Sequence, residues 1–230
     1  MVNSKLMEPD VSAVAATDDP WELAYMRFET PEEEIGKFIK RLKELGADKW
    51  PRDSKVVELF CGRGNGLHAL ERLGFTSLEG IDLSPRLVAQ YEGIGKCYVG
   101  DCRSLPFEDK SKDAIIIQGG LHHLLTLPDD LDRTLSEVRR VLKDDGKFLV
   151  VEPWLTPFLS FVHAVCEMKL ARRMWGKLDA LSTMIHYERE TYEQWLNQPE
   201  AVNAVFQKYF KADQLAFKFG KMMFVGRKNS

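Results

Sequence analysis

The sequence predicts an α/β protein: a doubly wound, mostly parallel seven-stranded sheet with helices on both faces and a helical cap inserted before the last hairpin. Three observations predict it. Short apolar strands alternate with helical stretches from Lys55 to Val151, which is the pattern of a parallel sheet covered on both faces. The first three strands run into glycine or an acidic residue, so their ends share one rim. Two further strands joined by Gly220-Lys221 form a closing hairpin.

Residues 1–19 mix charged, small and proline residues, offer little apolar area and are expected to be a disordered tail. Residues 20–50 read as an N-terminal helical segment in two pieces, broken near Thr30-Pro31. Thr30 is the cap of the second piece and Glu32 to Glu34 fill its first turn. Ile35, Phe38, Ile39, Leu42 and Leu45 then give an apolar stripe at helical period. The core, residues 51–153, holds strands at Lys55 to Phe60, Leu78 to Ile81, Cys97 to Val99, Ala114 to Gln118 and Lys147 to Val151. Its helices are expected from Leu67 to Leu73, Ser84 to about Tyr91 and Asp129 to Leu142. Residues 154–210 break this rhythm and form the expected cap, with helices over Phe158 to Met174, Asp179 to Ile185 and Thr191 to Leu196. Residues 211–230 close the sheet with strands Gln214 to Phe219 and Met222 to Gly226.

The first strand carries the most chemistry. Val-Val-Glu-Leu-Phe-Cys-Gly-Arg-Gly-Asn-Gly, residues 56–66, leads into Gly62, Gly64 and Gly66, which let the chain turn sharply and set bare backbone against a ligand. A dinucleotide site wants glycine at 67, where Leu67 stands, and Glu58 would repel a pyrophosphate. A nucleoside ligand bearing cationic groups fits better, and S-adenosylmethionine, with a sulfonium and an ammonium but no phosphate, is such a ligand. Asp82 follows Gly62 by twenty residues, the distance at which a strand-end carboxylate meets ribose hydroxyls. Asp101, after the third strand, is placed to accept from the exocyclic amine of adenine.

These residues resemble the class I S-adenosylmethionine-dependent methyltransferases, in particular their small-molecule subgroup of the type 11 kind. The resemblance runs from about Asp53 to Trp154, through the glycine loop, Gly-Ile-Asp-Leu-Ser, Gly-Asp-Cys-Arg-Ser-Leu-Pro-Phe, the stretch Asp113 to Leu124, and Leu-Lys-Asp-Asp-Gly-Lys-Phe-Leu-Val-Val-Glu-Pro. It implies a Rossmann-like methyltransferase fold and S-adenosyl-L-methionine as cofactor. It implies Glu58 and Gly62 near the methionine ammonium, Asp82 on the ribose, Asp101 and Cys102 at the adenine, and Gln118 and Gly119 beside the methionine moiety. Phe60, Gly64, Gly66 and Leu83 are counted with these cofactor-binding residues. Arg27, in the N-terminal helix that such enzymes fold over the cofactor, is a candidate for the methionine carboxylate, and Arg63 competes for that role.

Gln118-Gly119-Gly120-Leu121-His122-His123 sets two imidazoles at the rim where the methyl group must emerge, with Glu152 ending the adjacent strand. A histidine titrating near neutrality can take a proton from an acceptor hydroxyl, and a carboxylate can fix its tautomer. The expected catalytic residues are therefore His123 as base, Glu152 as its partner, and His122 beside them. The opposing reading is that alignment of acceptor and methyl supplies the rate and both histidines are pocket walls. His68, His163 and His186 are expected to be structural.

The cap is read as an acceptor-binding lid in preference to extra core or a dimer face, with a homodimer through its helices left open. Lys169, Arg172 and Arg173 read as a solvated helix end. The expected reaction is O-methylation of a small-molecule or sugar-bearing acceptor. N- or C-methylation by proximity, and a non-catalytic adenosyl-binding protein, are the alternatives. DNA and RNA amine methylases would show an Asn/Asp-Pro-Pro-aromatic signature after the fourth strand, and protein arginine methylases two hairpin glutamates; neither is present. Quinone-ring carbon methylases have a related layout but usually carry different residues at the His-His position.

Composition agrees with these exclusions. At 230 residues, 44% hydrophobic and 29% charged, the chain can bury one full core and an elaboration. A net charge of -3 argues against nucleic acid as partner. No apolar run reaches a membrane span and no leader is evident, so a cytoplasmic location without membrane contact is expected. Cys61, Cys97, Cys102 and Cys166 show no paired ligand spacing, no histidine and carboxylate cluster is visible in the linear sequence, and no metal is expected.

Overall fold

The computed structural model describes residues 20–229, so the expected tail at 1–19 lies outside the described residues. Two helices come first, α1 (Pro20–Phe28) and α2 (Pro31–Glu44), followed by a 3-10 turn at Ala47–Lys49. Thr30 caps α2 in a full capping box. Its side chain accepts from Glu33 N, the Glu33 carboxylate accepts from Thr30 N, and Pro31 stands where no N–H is needed. Ile35, Phe38 and Leu42 form the buried stripe of α2.

The core alternates β1 (Lys55–Leu59), α3 (Asn65–Arg72), β2 (Ser77–Asp82), α4 (Pro85–Val88), β3 (Lys96–Val99), β4 (Lys112–Gln118), α5 (Asp129–Val141) and β5 (Leu142–Pro153). Then follow α6 (Pro157–Glu167), α7 (Lys169–Met174), α8 (Gly176–Tyr187), α9 (Arg189–Asn197), α10 (Pro199–Tyr209), β6 (Phe210–Lys218) and β7 (Lys221–Lys228). The seven strands lie in the order β3-β2-β1-β4-β5-β7-β6; β1 to β5 are mutually parallel and β7 runs antiparallel to both β5 and β6.

Side-chain alternation sorts the strand residues into two cores. Val57, Leu59, Ile115, Ile117, Phe148, Val150, Met222 and Phe224 face α5, α9 and α10. Val56, Ala114, Ile116, Leu149, Val151, Met223 and Val225 face α2 and α3. The order reverses between β1 and β4, and at such a switch point the carboxyl ends of the strands part to leave a crevice.

Several elements depart from expectation. The run Phe158 to Met174 is two helices, α6 and α7, because Met168 adopts an extended conformation between them. The helix expected to reach Tyr91 ends at Val88. β5 begins at Leu142 rather than Lys147, since Leu142 pairs with Lys112 across a register shift in β4. Helix α10 was not anticipated. Val202, Val205 and Phe206 of α10, with Tyr192, Trp195 and Leu196 of α9, belong to the sheet-facing core. The stretch read as a cap is thus divided: α9 and α10 complete one face of the sheet, and α6 to α8 form the more exposed part. Trp195 is fully buried and donates its indole N–H to the Pro153 carbonyl at 2.8 Å, fixing α9 to the end of β5.

Candidate active site

The carboxyl ends of β1, β2 and β4 come together at the switch point, where a crevice is expected. Glu58 is 3% exposed, and the carboxylate lies against Gly66 so closely that a Cβ there would fall on its oxygens. Gly66 therefore makes room for Glu58 rather than for a ligand. Gly64, with φ of 79°, lies under the ring of Tyr91, while Gly62, with φ of 53°, keeps open space, its nearest neighbours 3.9 Å from an added Cβ. Of the three loop glycines, Gly62 alone leaves bare backbone toward the crevice.

Asp82 pins this loop. One carboxylate oxygen accepts from Gly62 N at 2.8 Å and the other from Ser84 N at 2.8 Å; burial raises its pKa, and the backbone N–H bonds oppose the rise. Leu83 beside it is 63% exposed. Glu58 Oε2 and both polar ends of the Gln118 amide are buried without a well-formed hydrogen bond. Burial pushes the Glu58 carboxyl up to about 8, against the pull of the Gln118 amide. A buried carboxyl with one oxygen lacking a well-formed hydrogen bond, beside a buried amide in the same state, is the lining that a ligand ammonium and carboxylate would complete.

Other candidates are placed differently. Asp101 is held by Arg103, whose guanidinium donates to both carboxylate oxygens, and this hydrogen bonding keeps the carboxyl below its usual range. The Cys102 thiol turns into the core 3.6 Å from Thr134 Oγ1, and burial pushes it up to about 11. Phe60 takes a positive φ of 57° and packs against Gly120, where a Cβ would meet its ring. Gly119, with φ of 84°, lets the chain turn off β4. Arg27 stands at the surface, its side chain 59% exposed and 3.8 Å from Asp179. The buried guanidinium is Arg63, 7% exposed, which donates to the Glu29 carbonyl and the Glu34 carboxylate and stacks 4.8 Å from the centre of the Tyr25 ring. Tyr25 donates to Glu34 in turn, and Asn65 of α3 donates to the same carboxylate at 2.6 Å, so α1 and α2 are tied to the glycine loop.

The second half of the site follows β4. Glu152, 1% exposed, does not pair with His123 as expected. Its Oε1 accepts from Gly120 N and Leu121 N at 2.7 and 2.8 Å, and its Oε2 takes His122 Nδ1 at 2.7 Å. The tight turn after Gly119 directs His122 inward onto β5 and leaves His123 facing the cap. Burial opposes charge on His122, but the hydrogen bond and charge of Glu152 outweigh it and raise the imidazole above its ordinary pKa. Desolvation, aided by the neighbouring His122, holds His123 well below its ordinary value.

His123 meets residues the sequence reading missed. Its Nδ1 lies 3.4 Å from Glu188 Oε2, at the junction of α8 and α9. Trp21 of α1 stands edge-on to the His123 ring at 5.5 Å and donates Nε1 to Glu188 Oε2 at 2.8 Å. One donor atom each from His122, His123 and Glu188 all lie within 4.8 Å of one another. No spacing rule could find Glu188, which follows His123 by 65 residues. His68 lies with Glu71 and Tyr91, His163 bonds the Tyr192 hydroxyl at 3.0 Å, and His186 is exposed; none joins this group.

Comparison with known proteins accords with this layout. Residues 57–150 match the family described as a methyltransferase domain. The chain is 34% identical over 169 residues to a demethylmenaquinone methyltransferase of Staphylococcus aureus, covering 68% of this chain and 63% of that protein. It is 30% identical over 152 residues to a ubiquinone/menaquinone biosynthesis C-methyltransferase of Citrifermentans bemidjiense, covering 54% and 62%. A demethylmenaquinone methyltransferase of Thermotoga maritima is 34% identical over 120 residues, half of each chain. The chain thus spans about half to under two thirds of the length of these curated relatives. Among solved structures, a protein of Pyrococcus horikoshii superposes with a TM-score of 0.64 at 21% identity, covering 89% of this chain and 98% of that one. A SAM-dependent methyltransferase of Methanosarcina mazei gives 0.54 at 19%, covering 80% and 96%. Quinone methylases, set apart on the His-His position, are therefore among the relatives. With this sheet order and this match, residues 57–150 form a methyltransferase domain of the class I S-adenosylmethionine-dependent, type 11 kind, a family whose cofactor is S-adenosylmethionine.

Proposed function

We propose that the protein methylates carbon in an electron-rich, hydroxyl-bearing ring of a small, largely apolar acceptor. The observation that carries this is the polar group His122, His123 and Glu188, set directly after Gln118-Gly119 at the strand end where the methyl group emerges. An added Cβ on Gly119 would lie 4.0 Å from His122 Cε1, so the acceptor site and the cofactor crevice adjoin.

S-adenosylmethionine supplies a sulfonium methyl group when bound. The chain's residues divide the remaining work. Glu58 and Gln118 receive the methionine moiety, Asp82 the ribose, and Gly62 leaves the backbone open between them. Trp21 and Glu188 close the acceptor side, excluding water and holding the ring in line with the methyl group, and such alignment accounts for much of the rate in a displacement of this kind. The ring hydroxyl faces His123 and Glu188, and once ionised it raises electron density on the adjacent carbon.

Carbon is favoured over oxygen for two reasons. One relative is named a C-methyltransferase. The alternative, O-methylation with His123 as base, meets an imidazole whose neighbouring carboxylate is Glu188 rather than Glu152, and which desolvation holds well below its ordinary pKa, so it is a weak base. The test is incubation with labelled methyl donor and a panel of hydroquinones and other hydroxylated aromatics, with products assigned by NMR. A ring-bound methyl is expected. A methoxy product would replace this reading with O-methylation, and no transfer to any acceptor of the panel would remove the acceptor class.

A further inference from the structure

We propose that His122, His123 and Glu188 form a binding site for a first-row divalent transition ion of the zinc class, with Glu152 as the residue that orients it. The site itself stands on geometry. The role given to the ion below rests on the methyl-transfer reading above.

Three donors of the right kind converge from two distant parts of the chain: two imidazoles from the turn after β4 and a carboxylate from the junction of α8 and α9. Two histidines and one glutamate are a donor set that binds zinc while leaving a position open for another ligand. At bonds of about 2.0–2.2 Å, neighbouring ligand atoms around a tetrahedral ion stand about 3.3 Å apart. The edge from His123 Nδ1 to Glu188 Oε2 is already 3.4 Å, and no pair of donors exceeds 4.8 Å. Closure asks for an adjustment of side chains on a 3-10 turn and a helix junction, not of the sheet.

A second, independent observation is the support around these donors. A histidine that binds a metal usually gives its other ring nitrogen to a carboxylate or carbonyl, which fixes ring and tautomer. Glu152 does this for His122: it is 1% exposed, anchored by Gly120 N and Leu121 N, and takes Nδ1, so Nε2 is the nitrogen left uncommitted. Glu188 is steadied likewise by the indole N–H of Trp21. A carboxylate fully occupied in orienting one imidazole, beside a second imidazole and a second held carboxylate, is more than a hydrogen-bonded wall requires.

The open position faces the acceptor. A ring hydroxyl bound there loses its proton to water: the O–H bond breaks and the oxyanion stays on the ion. Methyl transfer then forms the C–CH3 bond as the S–CH3 bond breaks, S-adenosylhomocysteine leaves, and the hydrogen on the methylated ring carbon passes to water as a proton, which restores the aromatic ring.

The test uses the full-length protein, stripped with a chelator and titrated with Co2+, whose visible d–d bands report its ligands, with Zn2+ as competitor. One ion per chain is expected, displaced by Zn2+. His123→Ala and Glu188→Ala should abolish the bands, and Glu152→Gln should weaken binding by about 10- to 100-fold. Calorimetric binding of S-adenosylmethionine by each variant serves as the folding control and separates the two readings. Cofactor binding without saturable Co2+ binding, or Co2+ bands unchanged in Glu188→Ala, overturns the metal site and leaves the methyltransferase reading standing. Co2+ binding without cofactor binding upholds the site and removes its assigned role.

Discussion

Replacing Glu58 by Gln isolates the electrostatic choice made at the centre of the crevice. The carboxyl is 3% exposed, Oε2 has no hydrogen-bond partner, and burial lifts its pKa from 4.5 to about 8. A carboxyl whose folded pKa lies above its unfolded one keeps its proton in the native state while the unfolded chain loses it. The native state then binds more protons, and stability falls as pH rises through this window. Each pH unit within it costs up to about 1.4 kcal/mol, so the whole window is worth on the order of a few kcal/mol. Glu58→Gln keeps the shape and removes the titration. Urea denaturation without cofactor should give variant and wild type similar stability near pH 5. Near pH 8 the variant should be the more stable by about 2 kcal/mol or more. The same group predicts the opposite ranking for ligand: a bound ammonium draws Glu58 into its ionised form, so wild type should release about one proton on binding S-adenosylmethionine at pH 7, and the variant none. Calorimetry in two buffers of different ionisation heat measures this. Parallel pH profiles for the two proteins, with no proton released by wild type, would refute the reasoning.

Other perturbations reach the same frame from different sides. Gly66→Ala puts a methyl group where the Glu58 carboxylate lies; it should cost about 1–3 kcal/mol by overpacking and much less in a Glu58→Ala background, a coupling that a double-mutant denaturation series reads directly. Asp82→Ala should weaken S-adenosylmethionine binding by about 1–3 kcal/mol, since it removes charge-assisted hydrogen bonds. It should also lower the melting temperature, because Asp82 holds Gly62 N and Ser84 N even without ligand; unchanged affinity would mean the ribose lies elsewhere. Trp195→Ala should destabilise by about 3–5 kcal/mol, measured by denaturation, while leaving cofactor affinity in the remaining native protein near wild type.

What could be read in the sequence follows from the range of the physics involved. The strands and the glycine loop were legible because alternation, strand ends and loop chemistry are local: Val56 to Leu59 sorts its side chains between two cores by period alone. The capping box at Thr30 and Glu33 is similarly written within four residues. The break at Met168 was not legible, since an apolar run of that length reads as continuous and no glycine or proline marks the bend. Helix α10 was missed because Val202, Val205 and Phe206 reveal their burial only when Phe148 and Phe224 are beside them. In the site, both histidines and Glu152 could be named but not paired, because the turn after Gly119 decides which imidazole meets β5. Trp21 and Glu188 enter from opposite ends of the chain, and only the packing of α1 along α8 brings them to His123.

The central claim is that the crevice at the ends of β1, β2 and β4 is built for S-adenosylmethionine. Calorimetric titration of the purified protein with S-adenosylmethionine and S-adenosylhomocysteine, with NAD as control, tests it most directly. Saturable binding of both sulfur ligands, one per chain, and none of NAD is expected. Binding of NAD, or of neither sulfur ligand, would contradict it.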